Sequence, residues 1–66
     1  MTRLAKAPLK EIMREEGCEI ISEKGLLLYR DEVERYAYAL ANQVKRCATH
    51  AGRKTIFVED VKLAVE

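Results

Sequence analysis

Proline occurs once, at Pro8, so no proline interrupts a helix after the first ten residues. Cysteine occurs twice, at Cys18 and Cys47, too sparsely for a disulfide-built scaffold and without the spacing of about two to four residues that pairs zinc ligands. Both thiols therefore read as reduced and structural, with no metal. One histidine, no glycine-rich phosphate loop and no nucleophile beside a base leave no catalytic constellation. The chain is expected not to be an enzyme and to take no cofactor or small-molecule substrate. No apolar run reaches the ~18 residues of a membrane span, and no signal-peptide hydrophobic region opens the chain. The expectation is a soluble protein of the cytoplasm with no membrane partner.

What is present is charge, unevenly distributed. Twelve Lys and Arg stand against 11 Asp and Glu, a net of +1 over 66 residues. Residues 1–10 hold Arg3, Lys6 and Lys10 with no acid, whereas residues 11–34 hold Glu11, Glu15, Glu16, Glu19, Glu23, Asp31, Glu32 and Glu34 against Arg14, Lys24 and Arg30. Residues 35–58 hold Arg35, Lys45, Arg46, Arg53 and Lys54, again with no acid. Two basic stretches flank an acidic middle, and basic side chains gathered on one face make a nucleic-acid footprint.

The apolar pattern predicts three helices. Pro8 suits a first helical turn, where its missing N–H would be unpaired anyway, and Leu9, Ile12 and Met13 then share one face until Gly17 ends the helix. Residues 18–21, Cys-Glu-Ile-Ile, read as a small strand or loop. Ser22 caps the next helix with Glu23 in its first turn, and Gly25 weakens that start slightly. From Glu23 to about Ala51, Leu26, Tyr29, Val33, Tyr36, Ala37, Leu40, Ala41, Val44, Cys47 and Ala48 recur at spacings of three and four. Lys45 and Arg46 fall in the last turns, where cations suit the helix dipole, and Gly52 stops the run. A short β-favouring stretch, Thr55, Ile56, Phe57 and Val58, precedes a third helix that starts near Val58 and carries Val61, Leu63, Ala64 and Val65.

A helix of about 28 residues is about 42 Å long, while a compact chain of this length is roughly 28 Å across. The chain cannot enclose such a helix, and one this short buries only about 60% of its unfolded surface. A single domain over residues 1–66 that completes itself as an obligate dimer, with Leu26, Tyr29, Val33, Tyr36, Leu40 and Val44 in the dimer core, follows from that geometry. Tyr38, like Tyr29 and Tyr36, reads as a core or interface ring, because stacking platforms for bases sit on exposed sheets or grooves.

Ala7-Pro8, Gly17, Ser22, the run His50-Ala51-Gly52-Arg53-Lys54-Thr55-Ile56 and the following Glu59-Asp60 resemble a prokaryotic histone of the archaeal type over nearly the whole chain. The resemblance implies the all-α histone fold, short helix, long central helix, short helix, as an intertwined dimer. In it the loop after the long helix pairs as a short strand with the first loop of the other chain, here residues 54–57 with residues 19–21. It further implies that Arg53, Lys54 and Thr55 contact DNA phosphates, that Arg53 and Asp60 form an ion pair fixing the loop, and that His50 and Asp60, beside Cys47 and Leu63, bridge two dimers into a tetramer. Without it, His50 reads as a partner for the helix dipole, and Arg53 and Lys54 as solvated loop charges.

Two positions depart from that pattern. Glu11 stands where a basic residue of the first helix faces DNA, and Ile20 where an arginine of the first loop points at the minor groove. Each lost phosphate neutralisation flattens the salt dependence of binding by about one unit of slope. Lys10 and Lys24, with Arg3 and Lys6, are the available substitutes. The function implied is a non-sequence-specific DNA-binding histone that forms dimers and tetramers and bends or wraps duplex DNA in the nucleoid. The alternative is a histone-fold subunit that pairs with a different chain in a transcription or regulatory complex, which near-neutral charge, Glu11 and Ile20 favour.

Overall fold

The structure, a computed structural model, describes residues 3–66. Helix α1 spans Lys6–Glu15, α2 spans Glu23–His50 and α3 spans Val58–Val65. With no strand among the described residues, the chain is all-α in the short–long–short order that the resemblance implies. Residues 18–21 and 55–57, the two stretches of extended propensity, are irregular loops, and Val58 is already the first residue of α3. A strand ladder needs a second backbone to pair with, and neither stretch has one within this chain.

Each helix boundary has a local cause. Pro8 is the third residue of α1, where no helical hydrogen bond requires its nitrogen. At the other end Gly17 turns left-handed, φ 96°, so that its N–H reaches the Arg14 carbonyl at 3.0 Å and the Cys18 N–H reaches that of Met13 at 2.9 Å. This crossed pair is the Schellman ending that glycine permits, and it satisfies carbonyls the finished helix leaves open. Helix α2 ends the same way: Gly52, φ 75°, donates to the Thr49 carbonyl at 2.9 Å, and the Arg53 N–H donates to that of Ala48 at 2.9 Å.

Ser22 opens α2, its Oγ accepting the Gly25 N–H at 3.0 Å. A Cβ on Gly25 would sit 2.8 Å from that oxygen. The glycine expected to weaken this helix start therefore also leaves the capping hydroxyl its room.

The chain separates into two compact units, Met1–Arg35 and Tyr36–Glu66. In the first, Leu26 is buried at 3% exposure, and Leu9 and Met13 on α1 are half-buried. Two polar links join segments of this unit that are distant in sequence: Lys6 Nζ lies 2.6 Å from Glu23 Oε1, and the Arg3 N–H donates to Glu34 Oε2 at 3.0 Å. In the second unit Val44 and Ala48 on α2 are buried, and Val44 lines one groove together with Ile56 and Val61. Leu26, Val44 and Ala48 are the only buried apolar residues among those described. Each large aliphatic buried contributes about 2 kcal/mol, so this core is far smaller than a stable domain needs. Meanwhile Tyr36, Leu63, Val58 and Val65 remain more than half exposed.

Candidate nucleic-acid interface

The loop between α2 and α3 is built around one carboxylate. Asp60, 3% exposed, is the third residue of α3, where a side chain can turn back to the helix start. Its Oδ2 accepts the Phe57 N–H at 2.8 Å, and the Asp60 N–H in turn donates to the Phe57 carbonyl at 3.1 Å. Phe57 has no side-chain acceptor, so Asp60 supplies the only side-chain bond at this helix start among the described residues.

Arg53 grips the same carboxylate with both arms, Nη1 to Oδ2 at 2.9 Å and Nη2 to Oδ1 at 3.0 Å. Two parallel charge-assisted bonds fix direction as well as distance, which a lysine could not do. Nη1 also donates to the Thr55 carbonyl at 3.2 Å, and the guanidinium lies 4.4 Å from the centre of the Phe57 ring. The Arg53 hydrogen bond, and after it the Phe57 N–H, hold the Asp60 carboxyl below its ordinary pKa; the same bond raises that of Arg53. Since the Arg53 N–H closes α2 while its side chain closes α3, one residue fastens both ends of the loop.

Lys54 and Thr55 are exposed, and Lys54 takes part in no ion pair among the described residues. Arg53 belongs to the same loop, but its charge is largely answered by Asp60. The other candidate cations belong to the first unit. Lys6 is paired with Glu23, whose carboxyl is lowered by that bond, with Lys10 adding a weaker pull. Lys10 is half-buried, Lys24 and Arg3 are exposed, and none of the three forms a side-chain ion pair among the described residues. Ile20, in the position expected of a minor-groove arginine, is 96% exposed, and Glu11 is exposed on α1.

The residues considered for contact between dimers are spread over the second unit: His50 and Leu63 are exposed, Cys47 is half-buried and Asp60 is buried. Three of the roughly four acceptor sites of the Asp60 carboxylate are already taken within its own chain. Of the residues considered for the dimer core, Leu26 and Val44 are buried, Tyr29, Val33 and Leu40 are half-buried, and Tyr36 is 65% exposed. Ala37, Leu40, Ala41, Val44, Ile56 and Val61 line an open, mainly apolar groove in the second unit, with Lys45 at its border.

Sequence reasoning did not find three contacts. Phe57 serves as helix cap and as the face on which Arg53 lies, Glu34 accepts the Arg3 N–H, and Glu23 holds Lys6. The last two join residues 31 and 17 positions apart, a separation at which no local pattern speaks. For Phe57 a signal existed: an acid three residues after an aromatic at a helix start marks half a capping box.

No helix of the described residues is long and apolar enough to cross a membrane, and no group of three or more His, Cys, Asp or Glu among them could hold a metal ion. The sequence profile described as "Histone-like transcription factor (CBF/NF-Y) and archaeal histone" matches residues 2–65. Among curated proteins, the chain is 38% identical over 66 residues to one of the subunits of the archaeal histone HAN1 of Thermococcus zilligii, covering 100% of this chain and 98% of that one. It is 35% identical over 65 residues to "Probable archaeal histone 3" of Methanocaldococcus jannaschii, covering 98% of this chain and 97% of that protein.

Proposed function

The chain belongs to the family of histone-like transcription factors (CBF/NF-Y) and archaeal histones, and from that premise we propose that it packages duplex DNA without reading its sequence. One observation carries the reading: a loop held at both ends by Arg53 and Asp60 offers Lys54 and Thr55 outward. A lysine and a hydroxyl on a rigid loop suit phosphate oxygens, which are alike at every base pair, and no base-reading helix competes with that role. Lys54 is the principal cation of the loop, with Arg53 acting mainly by holding it in place. Lys10, Lys24 and Arg3 are available in the first unit to substitute for what Glu11 and Ile20 lack; Lys6 is shared with Glu23.

The functional form is a homodimer. A buried core of three apolar side chains beside an apolar groove and an exposed Tyr36 calls for a second copy, and the unpaired loops at residues 19–21 and 54–57 supply the backbone for an intermolecular strand pair. Dimers join through His50 into tetramers that bend or wrap DNA in the nucleoid of the cytoplasm. Asp60 contributes to that joint through its one unused acceptor site. His50→Ala is the cleaner probe, since Asp60→Ala also releases the loop; a tetramer mass in sedimentation unaltered by His50→Ala rejects the joint.

The deciding experiment is a salt titration of duplex affinity. A linear fall of log K with log salt is expected, reduced by about one unit of slope for each phosphate-binding lysine removed in Lys54→Gln. A flat titration sinks the packaging reading.

A second reading rests on Ile20 and on one relative's being named as one of several chains. In it the partner is a different histone-fold chain and DNA contact is weak. Size exclusion of the purified chain separates the two, a stable homodimer or tetramer supporting packaging and an aggregate or monomer supporting the heteromeric complex.

A further inference from the structure

The part of α2 that carries Lys45 and Arg46 is left unexplained by the loop. Lys45 and Arg46 lie three and four residues after Asn42, and Thr49 lies four and three after them, so the four share one face of α2; they line a shallow open cleft at whose end stands His50, the residue assigned above to the joint between dimers. From Arg35 to Val58 there is no acidic residue, and neither Lys45 nor Arg46 takes part in an ion pair among the described residues. Their ordinary role near a helix end, compensating open carbonyls, is already filled by the backbone. Ala51 donates to the Cys47 carbonyl at 3.2 Å, Arg53 to that of Ala48 and Gly52 to that of Thr49.

We propose that this face is a second phosphate-binding surface, which holds a further DNA duplex and so lets the protein bridge two duplexes. The chemistry favours nucleic acid over a protein partner. Two cations, an amide and a hydroxyl are the donor types that phosphates attract, whereas a protein interface of any strength requires apolar or aromatic anchors, which these side chains lack. The cleft is too open to enclose a small anion, and suits a long polyanion laid across it. Bridging rests on the packaging reading above and extends it, since a protein that grips one duplex through its loops gains a second attachment on another face.

The test uses the full chain, a bead-bound duplex and a fluorescent second duplex. Wild type is expected to retain the second duplex. Lys45→Gln with Arg46→Gln, which keeps good helix formers, is expected to lower that retention about tenfold and to flatten its salt dependence by about one unit per cation lost, while affinity for a single duplex changes less than twofold. Far-UV circular dichroism checks that the helix persists. Retention equal to wild type overturns the proposal, as does binding of polyglutamate that the double variant loses while bridging is unchanged, which would make the face a site for acidic protein. Lys54→Gln separates the two readings: it weakens single-duplex binding if the loop acts as proposed, whatever the double variant does.

Discussion

The two loops begin with the same backbone device and differ in what crosses them. Each follows a helix closed by a left-handed glycine with a crossed pair of hydrogen bonds, Gly17 in one and Gly52 in the other. Beyond the glycine, the first loop has the Ser22 hydroxyl at its far end and the exposed Lys6–Glu23 pair between the helices it joins, and leaves Ile20 in solvent. The second is tied by a two-armed ion pair, a carboxylate-to-backbone bond and a stacked ring. Glycine can thus end a helix without deciding what the loop becomes. Rigidity and exposed charge come from side chains of the loop itself that bond across it, which the second loop has in Arg53 and Phe57 and the first, tied only between its flanking helices by Lys6 and Glu23, does not.

Removing Asp60 should therefore have the largest effect. Asp60→Asn keeps the size of the side chain but removes the charge, and a Tm lower by on the order of 10 °C is expected, given how steeply Tm responds to stability in a domain this small. The acid dependence follows in sign. Because the folded carboxyl lies below its unfolded value of about 3.9, its stabilisation is complete above that pH and is lost as pH falls through the lower folded value. Acid unfolding followed by circular dichroism should show that loss in wild type and not in Asp60→Asn; coincident profiles would remove Asp60 as the fastening of the second loop.

The glycines should instead be equal. No atom lies within 4 Å of a Cβ built at Gly17 or Gly52, so Gly17→Ala and Gly52→Ala each carry backbone strain alone, about 1 kcal/mol. Urea denaturation giving a Gly52→Ala loss several times that of Gly17→Ala would mean the two endings are not the same device.

The smallest change in stability, and the one most telling for function, is Ile20→Arg. A side chain 96% exposed has nothing to lose, so stability should stay within about 0.5 kcal/mol while the salt slope of DNA binding steepens by about one unit. An unchanged slope would show that the first loop does not face DNA.

Much of the fold was legible in the residues because its punctuation is local. Pro8, Gly17, Ser22 and Gly52 each act on backbone within about five positions, a range that a sequence pattern can carry. The apolar stripe gave the long helix its length, and comparing that length with the size of so short a chain pointed to a second copy. The extended stretches were read correctly as unlike their helical neighbours, yet extended propensity alone does not form a strand, and within this chain both stretches remain loops. The Arg53–Asp60 pair was expected only through resemblance, and nothing expected the Phe57 ring beneath the guanidinium.

By itself the sequence determined where the helices start and stop, how long they run and how many cations they carry, since each of these depends on neighbours along the chain. Which cations remain available was decided only by the tertiary structure. Lys6 is taken by Glu23, 17 residues away, and Arg53 by Asp60 across a loop, while Lys54, Lys45 and Arg46 are left unpaired among the described residues. An ion pair depends on separation in space, and residues distant in sequence acquire that separation only once the chain has folded.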